Sequence, residues 1–267
     1  MIQVTFIGTG SAFTTRRRTN IALLVRHGGS SLLIECGPVV LFQLDQANSA
    51  PNQIDYLFIS HRHGDHILGL PMFLLMRSLG GASKSVTILG NQDVIRAGQE
   101  LTHVAYPELD HRLDDVTWTG MPIDEPHTIQ LKPSLKLSTL PTRHSQNAPV
   151  LALRLDFQES GHSLVYTGDT VYNEEIAEFA AGCDLLIHEA NFSETLHPGV
   201  KAEGYGHSTV RQAARTAAQA QCDILALVHL ASDCMGCEEQ IHAEAAQAFD
   251  GQIMIPYDGA TLYLPAP

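Results

Sequence analysis

His61-Arg62-His63-Gly64-Asp65-His66 places four groups able to bind a metal within six residues. The stretch follows directly on Tyr56-Leu-Phe-Ile-Ser60, an apolar run of strand composition. Side chains alternate along an extended backbone, so His61 and His63 send both imidazoles to the same side. Gly64 then permits a sharp turn that brings Asp65 and His66 round to a second position nearby. Two imidazoles for one ion, then a carboxylate and an imidazole for its neighbour, are how a short loop seeds a two-metal site. The motif contains no cysteine, which fits a catalytic rather than a structural zinc. The alternative is a polar loop that happens to be His-rich, and four ligands in six residues right after a strand argue against it.

Working outward, other apolar runs end in the same kind of residue. Leu135–Leu140 leads by a short turn to His144, and Leu164–Thr167 ends in Gly168-Asp169. Asp184–Ile187 ends in His188-Glu189, and Asp223–Val228 ends in His229. In α/β architectures ligands gather outside the carboxyl ends of strands, where loops converge. Five such deliveries predict a shared site. The remaining pattern predicts strands at Gln3–Ile7, Ala22–Arg26 and Ser31–Glu35. It predicts helices over Ile67–Met76, Asn91–Glu100, Asn173–Ala181, Ser208–Ala220 and Glu238–Phe249, with Asn91, Asn173 and Ser208 as N-caps. The segment Ala105–Lys136, rich in Pro, Asp and polar residues, gives the weakest signal. No linker, repeat or low-complexity tract divides the chain, so a single domain over 1–267 is the expectation.

The hexapeptide resembles the signature of the metallo-β-lactamase superfamily. The wider pattern is similar to its ribonuclease Z branch: Phe6-Ile-Gly-Thr-Gly-Ser-Ala12, His63-Gly-Asp-His-Ile-Leu-Gly-Leu-Pro71, Gly168-Asp-Thr170, His188-Glu-Ala190 and Gly206-His-Ser-Thr209, in that order. The resemblance implies an α+β fold, a four-layer αββα sandwich with the site at one edge. It implies two zinc ions per chain, with manganese or iron(II) as the alternatives. His61, His63 and His144 would hold one ion, and Asp65, His66 and His229 the other, with Asp169 bridging. Two such ions polarise a scissile group and generate hydroxide near neutral pH. Asp65 would orient that nucleophile or accept its proton, and His207 would donate to the leaving oxygen or contact the phosphoryl group. That Glu189 orients His207 is a separate hypothesis, for which the sequence gives no distance. Glu35-Cys36-Gly37 stands where the branch usually has Asp-Cys-Gly. His188 reads as a support for its strand end.

The departures matter equally. Ribonuclease Z carries a long tRNA-gripping arm between the counterparts of His144 and Asp169, and here 24 residues lie between them. His229 is followed by Leu-Ala-Ser-Asp-Cys, without the branch's aromatic and basic residues. The chain has 16 basic and 29 acidic residues, a net charge of −13, and affinity for tRNA rests heavily on cationic contacts to phosphates. The expectation is therefore a phosphodiesterase acting on a small or nucleotide-like anionic ester, with tRNA not a partner. The alternatives are tRNA 3′-processing and the same metal site directed at a lactone, thioester or aryl sulfate. A diiron oxygen-reducing site would be expected to have a carboxylate at position 63, and seven intact ligands weigh against a non-catalytic binding module.

Composition bounds the rest. At 267 residues, 44% hydrophobic and 17% charged, the chain has the make-up of a globular protein with a sizeable core. The 14 histidines nearly equal the lysines and arginines together and fit a metal centre. No apolar run approaches the ~20 residues of a membrane helix, no leader pattern opens the sequence, and five scattered cysteines fit reduced thiols. A cytoplasmic protein without a membrane partner is expected; monomer or homodimer is left open. Arg16-Arg17-Arg18 reads either as a steering cluster for an anion or as a solvated loop. Cys234 and Cys237 read as inert thiols rather than a zinc clip or redox pair.

Overall fold

The computed structural model describes residues 1–81 and 84–264. The chain divides into two compact units: Met1–Met121 with the C-terminal stretch from Tyr257, and Pro122–Pro256.

In the first unit, β1 (Ile2–Gly8), β2 (Ala22–His27), β3 (Ser30–Ile34), β4 (Tyr56–Phe58), β5 (Val86–Asn91) and β6 (Val116–Met121) lie in sequence order, with the C-terminal strand Ala260–Leu264 outside β1. Pairing is antiparallel from that strand through β3 and parallel from β3 to β6. The β2–β3 hairpin closes on Gly28-Gly29, both at positive φ (55° and 76°), as a two-residue turn between right-twisted strands requires. Parallel neighbours need crossovers, supplied by α1 (Val40–Gln46), α2 (Gly64–Ile67), α3 (Leu70–Leu79) and α4 (Gln92–Ala105). Ile7, Leu24, Leu33 and Ile88 pack with Leu44, Phe73, Leu74 and Val94 in a core where each such side chain contributes roughly 1.5–3 kcal/mol.

The expected helix Ile67–Met76 is two helices. Pro71 has no N–H, and its ring would clash with the Ile67 carbonyl in a continuous helix. It sits instead in the first turn of α3, where the missing donor costs nothing. Asn91 caps α4, its Oδ1 accepting from Val94 N–H at 2.9 Å, and the helix runs to Ala105, past the expected Glu100. The weakly read segment Ala105–Lys136 holds a 3-10 turn at Pro107–His111 followed by β6 and β7 (His127–Lys132). Both strands are half-exposed with mixed polarity, so no apolar run marks them.

The second unit repeats the plan without any repeat in sequence. β7, β8 (Leu135–Ser145), β9 (Ala148–Phe157) and β10 (His162–Tyr166) form an antiparallel meander, continued in parallel by β11 (Leu185–Glu189), β12 (Ile224–Val228) and β13 (Gln252–Met254). The crossovers contain α5 (Glu174–Phe179), α6 (Val210–Ala220) and α7 (Glu238–Ala245). Val165, Leu186, Leu225 and Leu227 bury against Val210, Ala213, Ala217 and Ile241, the alanines of α6 letting helix and sheet approach closely. α7 ends at Ala245, short of the expected Phe249.

Two differences from the sequence expectation bear on the site. β8 does not stop at Leu140: His144 lies within it, where the register with β9 slips between Thr142 and Ser145. Such an irregularity re-aims a side chain. The cap of α6 is Thr209, not Ser208. Thr209 Oγ1 accepts from Gln212 N–H, and Gln212 Oε1 accepts from Thr209 N–H at 2.9 Å, closing a capping box. Ser208 instead donates to the Thr170 carbonyl at 2.7 Å.

Behind β11, the Glu244 carboxylate of α7 is 1% exposed and accepts from Ser193 Oγ, Glu194 N–H and Thr195 N–H at 2.5, 2.9 and 3.0 Å. These donors outweigh burial and hold its pKa below the usual carboxylate value. A depressed pKa contributes stability that is present above the unfolded value near 4.3 and lost as pH falls through the folded one. Glu244→Ala strands three donors and should cost about 3 kcal/mol, lowering Tm by roughly 6–10 °C at neutral pH, with a smaller difference in acid. Thermal melts at several pH values check this.

Candidate active site

In the first unit the hexapeptide follows β4 and opens α2, so strand and helix fix its two ends. His61 Nδ1 lies 3.0 Å from Ser60 Oγ, and His61 Nε2 lies 3.0 Å from His63 Nδ1. Two nitrogens bound to one tetrahedral zinc at ~2.0–2.1 Å would lie about 3.3–3.4 Å apart, so this convergence fits one ion. The fully buried His66 has Nδ1 3.3 Å from Glu35 Oε2 and Nε2 3.2 Å from Asp65 Oδ2. Carboxylates thus face both ring nitrogens, and a carboxylate beside a metal-binding imidazole is a common orienting partner. Glu35 is itself fully buried, accepts from Ser60 N–H at 3.3 Å, and holds φ at 69°, a costly conformation for a residue with a Cβ. Glu35→Ala should weaken metal affinity 10–100-fold, whereas Glu35→Asp should retain most of it. Chelator competition measures both.

The second unit carries the other half of the expected set. His144 donates from Nδ1 to the Gly206 carbonyl at 2.7 Å, so Nε2 is the ring nitrogen with the lone pair. Gly206 has φ 80°, and a Cβ there would sit 2.3 Å from the His144 carbonyl oxygen, so only glycine brings this carbonyl up to the ring. The two oxygens of Asp169 face different imidazoles: Oδ1 lies 3.4 Å from His229 Nε2, and Oδ2 lies 3.9 Å from His144 Nε2. A carboxylate turned in this way suits a bridging ligand. His229, just past β12, takes φ 56°, a second strained non-glycine residue at the site.

Glu189 is the hub of this half. Fully buried at the end of β11, its Oε1 accepts from Thr170 N–H at 3.1 Å and from Ser208 N–H and His207 Nδ1–H at 3.0 Å; Oε2 accepts from Asn191 N–H at 2.9 Å. One carboxylate therefore ties the Gly168-Asp169-Thr170 turn to the turn carrying His207. The imidazole of His207 stacks on His229 (centroids 5.3 Å apart, 28° between planes) and lies 4.8 Å from that of His144. With Nδ1 at Glu189, Nε2 is the atom that a substrate or an ion would meet. His144, Asp169 and His207 each bring one ligand atom within 4.8 Å of the others, and so do Glu189, His207 and His229. His188 points elsewhere: its Nδ1 donates to the Glu189 carbonyl at 2.6 Å, and burial lowers its pKa, keeping it neutral.

Of the other candidates, Arg18, Cys234 and His197 are accounted for by burial or hydrogen bonding. Arg18 is 4% exposed and donates to Thr9 Oγ1 at 2.8 Å, while Arg16 and Arg17 are exposed. Burial pushes the Cys234 thiol up to about 12, far from a thiolate. His197, Asp233 and Cys234 also cluster, but His197 Nδ1 accepts from Ser193 N–H at 3.1 Å, so Nε2 carries the proton given to Asp233 at 3.0 Å. That is a hydrogen-bonded pair, not a ligand set. Ser60, Thr170 and the Gly206 carbonyl gave no chemical signal in the sequence, since each acts by orienting another residue.

The fold has solved counterparts. The metallo-β-lactamase fold protein YhfI from Bacillus subtilis superposes with a TM-score of 0.81 at 25% identity, covering 98% of each chain. The short form of human tRNase Z superposes with a TM-score of 0.78 at 21% identity, covering 98% of this chain and 99% of that one. Two mixed sheets with their helices, and His/Asp clusters that suggest a divalent-metal site, define an α+β protein of the metallo-β-lactamase fold, a metal-dependent hydrolase. A ribonuclease Z of Mycolicibacterium gilvum is 30% identical over 273 residues, covering 97% of this chain and 94% of the relative, which makes the chain ribonuclease Z-like. Within that class the chain belongs to the family of the anti-Pycsar protein Apyc1, which matches residues 2–236. Among the described residues no helix is long and apolar enough to cross a membrane.

Proposed function

We propose that the chain is a dinuclear zinc phosphodiesterase that cleaves a small or nucleotide-like phosphodiester. His61, His63 and His144 would hold one ion, Asp65, His66 and His229 the other, and Asp169 both. The donor set fits: imidazole and carboxylate without thiolate suit zinc, and Ser60, Glu35 and the Gly206 carbonyl engage the remaining ring nitrogens of His61, His66 and His144. When bound, the ions supply Lewis-acid polarisation of a phosphoryl oxygen and lower the pKa of water toward neutrality.

The observation that carries the reading is the Glu189–His207 pair. An alkoxide is a poor leaving group and needs a proton as the P–O bond breaks. Glu189 fixes the tautomer of His207 through Nδ1 and stabilises its cationic form, so Nε2 can deliver that proton. Asp65, at the mouth of α2, would orient the attacking water or accept its proton. The relatives named ribonuclease Z point to the same bond, since a ribonuclease cleaves phosphodiesters.

A small substrate is favoured over tRNA by the segment between His144 and Asp169. Its residues are spent on the end of β8, on β9 and β10, and on their short connections. The net charge of −13 acts in the same direction. Two dications still attract a small anion, because the local field at the metals dominates. Zinc-loaded protein assayed side by side on a bis-aryl phosphate, a cyclic nucleotide, a lactone, an aryl sulfate and a precursor tRNA tests this. Cleavage of the two small phosphodiesters is expected; lactone cleavage alone, or efficient tRNA trimming, would overturn it.

A further inference from the structure

The five cysteines are scattered in the sequence, and the fold brings two of them together. Cys183 stands two residues before β11, and Cys222 stands two residues before β12. The strands run parallel with Leu185 opposite Ile224, and two residues back the same register sets Cys183 opposite Cys222. Backbone bonds brace that level on both sides: Gly182 N–H donates to the Ala220 carbonyl at 2.8 Å, and Asp223 N–H to the Cys183 carbonyl at 3.3 Å. Both cysteines belong to the core that contains Ala217 and Ala220 of α6. Their thiols hydrogen-bond to each other, which pushes the Cys183 thiol up and draws the Cys222 thiol down toward its thiolate. The Cys36 and Cys234 thiols are instead pushed up, chiefly by burial. Paired strands lie about 4.8 Å apart, inside the roughly 4.4–6.8 Å that a disulfide spans between Cα atoms.

We propose that Cys183 and Cys222 are an oxidisable dithiol, closed by a small peroxide into a disulfide that staples the starts of β11 and β12, and reopened by a thiol reductant. The sulfur of Cys222 attacks one peroxide oxygen: an S–O bond forms, the O–O bond breaks, and water leaves with the thiol proton. The sulfur of Cys183 then attacks the sulfenic acid: the S–S bond forms, the S–O bond breaks, and a second water leaves with the Cys183 proton. Two electrons pass from the thiols to the peroxide. Cys222 is 5% exposed and Cys183 1%, in turns whose Ala181, Gly182 and Gln221 are exposed, which favours a peroxide over a bulkier oxidant. The closed loop from Cys183 to Cys222 holds 40 residues, among them Glu189, His207 and all of α6, so the bond restricts the unfolded chain strongly. It forms at the end of β11 and β12 opposite to Glu189 and His229, and it is independent of any reading of the metal centre.

The test treats the zinc-loaded full chain with hydrogen peroxide under native conditions, blocks the remaining thiols and maps the peptides. A linked Cys183–Cys222 peptide is expected, with two of the five thiols lost and Tm raised by at least about 5 °C. Dithiothreitol should reverse both changes. Cys222→Ser should yield no linked peptide and no rise in Tm on oxidation. The comparison of oxidised with reduced unaltered protein holds even where that variant folds poorly. Sulfinic acid at either cysteine without a link, a link between other cysteines, both thiols left unreacted, or a link with no rise in Tm would overturn the staple.

Discussion

Asp169→Ala should lower kcat/KM for a small phosphodiester by at least about 10³-fold and reduce the zinc held per chain. Asp169 is 3% exposed and turns one oxygen toward His144 and the other toward His229, so its loss removes a ligand from both proposed ions at once. Several kcal/mol of transition-state stabilisation come from such ions, which sets the size of the effect. Asp169→Asn keeps the shape but lacks the charge and one of the two equivalent oxygens, and should fall between. Metal analysis beside steady-state kinetics checks the pair. Full zinc content with full activity in Asp169→Ala would remove this residue from the centre.

The second large effect is expected at His207. His207→Ala should reduce turnover by 10²–10⁴-fold, the usual contribution of a positioned general acid, with zinc content unchanged. The loss should depend on the leaving group. A 4-nitrophenolate leaves without a proton and should be cleaved nearly as well by the variant, whereas an alkoxide should show the whole deficit. Glu189→Gln should reproduce part of this defect, because the amide still accepts from His207 but no longer stabilises its cation. It also disturbs the donors of Thr170, Asn191 and Ser208, so a lower Tm should accompany it. Loss of zinc in His207→Ala would make His207 a ligand. Equal losses on both leaving groups would exclude proton donation.

Much of this was legible in the sequence, and for a physical reason. The hexapeptide is local: a strand, two histidines two apart, a glycine and a second ligand pair are all decided within a few residues. The caps Asn91 and Asn173 are local in the same sense, each accepting from a backbone N–H two or three residues on. What was not legible depends on long-range contact. Ser208 looks like a helix cap until its partners, Glu189 at the end of β11 and Thr170 in the turn after β10, engage it and leave Thr209 to cap α6. His144 looks like a loop residue until β9 pairs with the chain around it. Glu35 looks like an ordinary strand-end carboxylate, and only the fold places it against His66. The Glu189–His207 hydrogen bond, a hypothesis for which the sequence supplies no distance, is a contact across 18 residues that β11 and the turn before α6 create.

The most direct test of the dinuclear reading is the metal content of the purified, zinc-loaded chain, counted by mass spectrometry against protein concentration. Two zinc ions per chain are predicted, both removed by chelation with loss of phosphodiester cleavage and both restored together with it. One ion or none per fully active chain would contradict it.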